Sequence, residues 1–193
     1  MVQHRQILFG GRGGMASSLG RLRALLGEPE PWGRARARLW TASEDYLGVE
    51  LPSDYKAFLD LYGPGSIDGY LSLSRPLVAG QAELDRLWSS EDWRRARLGA
   101  PELYPYPFHP DPGGLISWGS DEHGSEYFFR PVEPDPDEWR VVVGSECSDW
   151  FETAGTFCDF LVRCFDRRDR PPFMDRGWPS TGARYQSDAC CDS

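Results

Sequence analysis

Apolar residues first recur at helical spacing from Ser18 onward. Leu19, Leu22, Leu25 and Leu26 share one face, and Gly27 with Pro29 ends the run. After a proline-rich turn from Glu28 to Trp32, a second helical stretch is marked by Ala35, Leu39 and Trp40. A short third segment, Ser43 to Leu47, stops at Gly48. Leu51-Pro52-Ser53-Asp54 then opens the clearest helix, with Tyr55, Phe58, Leu59 and Tyr62 at i, i+3, i+4 and i+7. Ser53 or Asp54 is expected to cap it, and Gly63 fits the left-handed position past its end.

The period next changes to two. Ile67, Gly69, Leu71 and Leu73 alternate with Asp68, Tyr70 and Ser72, which predicts one half-buried strand. A charged helical pattern over 79–98 carries Leu84, Leu87 and Trp88, and Pro101 to Gly114 reads as an ordered loop of prolines and aromatics. Three strands are expected at Gly114 to Trp118, Glu126 to Val132 and Trp139 to Val143, the first two joined by a hairpin turn over Gly119 to Ser125. Phe157, Phe160, Leu161, Cys164 and Phe165 then form a last helical stripe, with Thr156 as its cap. Helices, then strands, then a helix predict an α+β fold: N-terminal helices, a mainly antiparallel sheet and a closing helix. The expected organisation is a flexible tail over 1–17, a domain over 18–166, and a disordered or loosely docked tail over 167–193. Met15 offers an alternative start.

Charge narrows the partner classes. Thirty acidic against 21 basic residues give a net charge of −9. Such a surface repels phosphate backbones, so a nucleic-acid partner is not expected; a basic protein partner suits it, although acidity also serves solubility alone. All the cations except Lys56 are arginine, a composition bias rather than a functional signal. Five cysteines in no C-x-x-C pair make neither a disulfide framework nor a zinc site, which fits a reducing cytoplasm. No apolar run approaches the length of a membrane span, and Ile7-Leu8-Phe9 is too short for a signal-peptide core.

Four constellations have chemical potential. Gly11-Arg12-Gly13-Gly14-Met15-Ala16 fits G-x-G-x-x-A, but only three apolar residues precede it and prolines occupy the place of a second strand. Asp121, Glu122, His123 and Glu126 place carboxylates beside an imidazole, a setting for a metal or acid–base work; on a hairpin the same residues make a solvated turn. Cys158 and Cys164 alternate with aromatics as buried small hydrophobes do. The many Trp and Tyr residues serve a core or an interface. No cofactor is expected.

Taken together, Leu39-Trp40, Glu44, Leu47-Gly48, Leu51-Pro52-Ser53-Asp54-Tyr55, Phe58-Leu59, Tyr62-Gly63, Gly65, Gly69-Tyr70, Leu71, Leu73 and Pro76 resemble the SUKH superfamily in its Smi/Knr branch. Leu115-Ile116-Ser117-Trp118-Gly119 with Asp121, Gly124 and Tyr127 looks like the family's central strand pair, and Phe157 to Leu161 like its closing helix. The similarity runs over residues 18–166. The stretch from Gln81 to His109 departs from the pattern and is read as an insertion, bounded at 79–112. The resemblance implies an α+β fold without catalytic residues. It also implies an intracellular immunity protein that neutralises a polymorphic toxin, with a regulatory scaffold of the cell-wall-regulator type as the alternative; a third reading, a hydrolase, rests instead on the acidic turn from Asp121 to Glu126 or on the proline-aromatic loop.

A partner surface is expected where the loop after Gly63 meets the turn near Trp118. Asp68 and Tyr70 lie on the opposite parity to Ile67, Leu71 and Leu73; Asp121, Glu122 and Glu126 belong to the hairpin; Asp149, with Glu146, lies in the next connection. If these loops converge, they make a negative patch with an aromatic centre, suited to a basic toxin domain.

Overall fold

A computed structural model describes residues 13–29, 36–73 and 90–188 of the chain. Among them are five α-helices: α1 (Gly13–Leu26), α2 (Arg36–Leu47), α3 (Ser53–Tyr62), α4 (Ser90–Gly99) and α5 (Phe157–Phe165). Seven strands form one antiparallel sheet: β1 (Gly65–Ile67), β2 (Leu71–Leu73), β3 (Ile116–Asp121), β4 (Glu126–Arg130), β5 (Arg140–Gly144), β6 (Trp150–Thr153) and β7 (Tyr185–Ser187). Their order is β6-β5-β4-β3-β2-β1-β7, so chain order is kept from β1 to β6 and the last strand returns to the far edge. The fold is α+β, with the expected sequence of helices, sheet and closing helix.

The sheet has two unlike faces. On one, Ile116, Trp118, Tyr127, Phe129, Val141 and Val143 meet the stripes of α3 and α5, where Tyr55, Phe58, Leu59, Tyr62, Phe157, Phe160 and Leu161 are all buried. Each such side chain contributes roughly 1.5–3 kcal/mol on full burial. On the other face, Phe128 and Val142 are covered by Phe108 and Leu115, with Trp93, Tyr104, Tyr106 and Trp150 packed around them. The second cover is built from α4, the proline-aromatic stretch after it, Leu115 and Trp150. A parallel bridge between Phe108 and Leu115 helps to fold that stretch back on itself.

The closing helix has the expected Thr156 cap, completed to a capping box by Asp159. Helix α3 is entered differently from expectation. Neither Ser53 nor Asp54 caps it through its own side chain; the Ser53 N–H donates to Asp137 Oδ1 at 2.6 Å, from the β4–β5 connection. Asp54 instead points into the core, where its Oδ2 accepts the Cys158 N–H at 2.7 Å and so holds the first turn of α5. Gly63 has φ of +77° and ends α3 as expected.

Several boundaries are corrected. Helix α1 begins at Gly13, inside the glycine-rich motif, whose Gly11 and Arg12 lie outside the described residues. Segments 35–40 and 43–47 are not separate helices: α2 runs unbroken through Thr41 and Ala42. Ile67 to Leu73 is a hairpin rather than one strand, turned at Asp68 and Gly69, both at positive φ, with Tyr70 N–H bonded to Ile67 O. Leu84, Leu87 and Trp88 lie outside the described residues.

The chain after Arg167 is likewise not loose as far as Asp188. Met174, Trp178 and Ala183 are buried, and β7 pairs with β1. Arg167 donates to the carbonyls of Arg176, Gly177 and Pro179, and Arg170 to those of Asp175 and Trp178, so two guanidinium groups gather a loop that has little regular structure.

Candidate functional site

Register decides which turns meet. Leu71 pairs with Ile67 and with Asp121, Glu126 with Gly144, Gly144 with Trp150, and Ile67 with Tyr185. The β1–β2 turn, the β3–β4 turn, the β5–β6 turn and the approach to β7 therefore sit at one end of the sheet. The loops named from sequence do converge, and the C-terminal loop, absent from that expectation, joins them.

At the centre of this end Asp121 is buried, at 8% exposure, not outward-facing. Its Oδ1 accepts the N–H groups of His123 and Ser125, both at 3.0 Å, and shapes the turn. Its Oδ2 accepts the hydroxyls of Tyr70 at 3.1 Å and Tyr127 at 2.9 Å. Burial foremost, then the neighbouring carboxylate, pushes the Tyr70 hydroxyl up to about 12 and raises that of Tyr127 further, so both stay protonated donors at neutral pH. Tyr70 is buried too. The expected strand parity put it outward, but the turn beginning at Asp68 resets the chain's direction. Its ring stacks on Trp178, and its hydroxyl accepts the Asp175 N–H. Asp68 is half-buried and accepts the N–H groups of Ser180 and Arg184. Asp68, Tyr70 and Asp121 thus hold loops in place.

Glu126 belongs to the other face of the sheet, where its carboxylate accepts the Ser117 hydroxyl. Glu122 and Asp149 are exposed, as expected for contacts, and so is Glu146, whose carboxylate lies against Gly124. These three are in no ion pair among the described residues. His123 is exposed beside them, edge-on to Tyr70. The residues expected at the partner surface therefore divide: Glu122, Glu146 and Asp149 face solvent on the converged end, Asp68, Tyr70 and Asp121 frame it, and Glu126 stands apart. Trp178 and Asp175 were missed, because nothing local in a Pro/Gly-rich segment signals that it docks 100 residues away.

Two of the cysteines are structural. Cys158 and Cys164 are buried, and burial pushes the Cys164 thiol up to about 12 and the Cys158 thiol higher, away from any nucleophilic thiolate at neutral pH. Cys147 is exposed in the β5–β6 turn. Cys190 and Cys191 lie outside the described residues.

This framework, an antiparallel sheet entered through a Leu-Pro-opened Tyr/Phe helix and closed by the capped α5, is the one the sequence pattern implied. The profile of the SMI1 / KNR4 family (SUKH-1) matches residues 35–163. The chain belongs to this family. Comparison with curated proteins and with solved structures gives no match. The SUKH-1 match spans α2 to α5 and takes in the β1–β2, β3–β4 and β5–β6 turns. Helix α1 and the docked segment from Pro171 to Asp188 flank the SUKH-1 match, so part of the framing of the acidic end comes from outside it. No helix among the described residues is long and apolar enough to cross a membrane.

Proposed function

We propose that this SUKH-1 chain is a non-catalytic binding module, a cytoplasmic immunity protein that neutralises a polymorphic toxin through its acidic sheet end. The observation that carries the reading is the convergence of framed turns that leave Glu122, Glu146 and Asp149 exposed, in no ion pair among the described residues. Such preformed acids steer a basic partner to the surface and cost little reorganisation on binding. The family supports a protein-binding role. Asp121, on which a hydrolytic reading of this turn would rest, has both oxygens engaged by the protein's own donors.

The test is co-expression with a candidate toxin, taken from any toxin gene that neighbours this one. Rescue of growth and a purified complex are expected; toxicity that persists with the immunity candidate fully expressed removes the reading and leaves the regulatory-scaffold alternative. Because Asp121 is buried, charge reversal belongs at Glu122 and Asp149. The Glu122→Arg/Asp149→Arg variant is expected to keep its melting temperature and to associate at least tenfold more slowly at low salt. Stopped-flow association rates across a salt series measure this.

A further inference from the structure

Strand β6 is the outermost strand on one side of the sheet. Its hairpin with β5 closes on the Ser145 N–H, which donates to the Asp149 carbonyl at 2.9 Å. Antiparallel pairs alternate between bonded and non-bonded. Phe151 and Thr153 therefore exchange bonds with Val143 and Val141, while Trp150 and Glu152 stand in non-bonded pairs with Gly144 and Val142. The N–H and C=O of Trp150 and Glu152 point away from the sheet and meet no main-chain partner among the described residues. The open stretch is bounded: beyond it the Ala154 carbonyl accepts from Arg163 and from the Thr153 hydroxyl.

The strand is also held still. Trp150 Nε1 donates to the Leu103 carbonyl at 2.8 Å and its ring packs in the second-face cluster, while the Glu152 carboxylate takes Arg130 and Tyr106. A fixed strand with four main-chain groups unpaired among the described residues is a template for another strand. The turn that feeds it carries the exposed Glu146 and Asp149.

We infer that the β6 edge takes an extended segment of a basic protein partner as an eighth strand, with Arg or Lys side chains where that segment passes Glu146 and Asp149. This rests on the partner-binding reading above and adds the mode of contact. Main-chain pairing supplies affinity, and the acidic turn selects the charge of the segment and its position along the edge.

Hydrogen exchange on the full chain, with and without the inactivated toxin domain that forms a complex in the co-expression test, tests the inference at pH 7 and low salt. The outward amides of Trp150 and Glu152 are expected to slow at least tenfold in the complex. Unchanged exchange there, in a complex that forms, overturns the edge while leaving the binding reading intact; absence of any complex overturns both. Protection that grows with the concentration of the chain alone assigns the edge to a second copy and overturns the choice of partner. A variant pair gives a separate readout. Glu152→Ala and Glu152→Pro both remove the carboxylate, but only proline removes the outward N–H. Affinity at least tenfold weaker for Glu152→Pro than for Glu152→Ala is expected, and equal affinities sink the proposal.

Discussion

Asp54 has no exposed surface, and one of its oxygens, Oδ1, has no hydrogen-bond partner among the described residues. Desolvation raises its pKa above 3.8, outweighing the Cys158 N–H that favours the charged form. The folded state therefore holds this proton more tightly than the unfolded chain. Stability falls as pH rises from 3.8 through the folded value, and the deficit persists at neutral pH. Asp54→Asn keeps an acceptor for Cys158 without a buried charge. It is expected to match or exceed the parent in urea unfolding at pH 7, with the difference shrinking as pH is lowered. Asp54→Ala leaves the Cys158 N–H buried without its acceptor and is expected to cost about 1–3 kcal/mol in the same titration. Asp121 shows why such roles stay hidden in a sequence. An acid beside Glu122, His123 and Gly124 reads as a solvated turn. Its burial is imposed by two tyrosines, one of them 51 residues away.

At the level of elements, α3 and α5 were legible because their apolar residues fall on one buried stripe and tertiary packing agrees with local pattern. The four-residue strand β6 has no such signature: Trp150 and Glu152 serve one face while Phe151 and Thr153 serve the other. Apolar alternation continues through the turn of the β1–β2 hairpin, Ile67 and Leu71 both remaining buried, so the pattern alone predicts a single strand. Only the positive φ of Asp68 and Gly69, absent from the apolar pattern, breaks the run. For α5, removal of its cap by Thr156→Ala is expected to cost about 1 kcal/mol, readable as a lower urea midpoint with an unchanged m-value. Gly65, at φ +157°, faces the β7 backbone so closely that a Cβ would lie 2.1 Å from the Gln186 carbonyl. Gly65→Ala is expected to break the β1–β7 pairing, seen as fast amide exchange at Gln186 and Asp188 while the β4–β5 amides stay protected.

Across the whole molecule, two stretches with little regular structure complete the packing: residues 101–115 help to cover the second face, and Pro171–Asp188, outside the family match, frames the acidic end. The converging loops were legible as a conditional argument, since hairpin turns between sequential antiparallel strands fall at alternate ends of a sheet. The C-terminal cover was not, because its anchors, Trp178 on Tyr70 and Asp68 on the Ser180 and Arg184 amides, are long-range contacts. A chain ended at Arg168 loses the buried Met174 and Trp178 together with β7. At ~1.5–3 kcal/mol per buried side chain and roughly 2–4 °C per kcal/mol, its melting temperature is expected to fall by roughly 10 °C in a thermal scan. The β6 edge, unpaired among the described residues, has a further consequence for the chain on its own. Two unoccupied copies present mutually templating borders, and at neutral pH the charge of −9 keeps them apart by repulsion. Near the isoelectric point of about 4.8 that barrier vanishes, so colloidal stability, rather than folding, sets how concentrated the solitary protein can become, and turbidity should rise there before the circular-dichroism signal of the fold is lost.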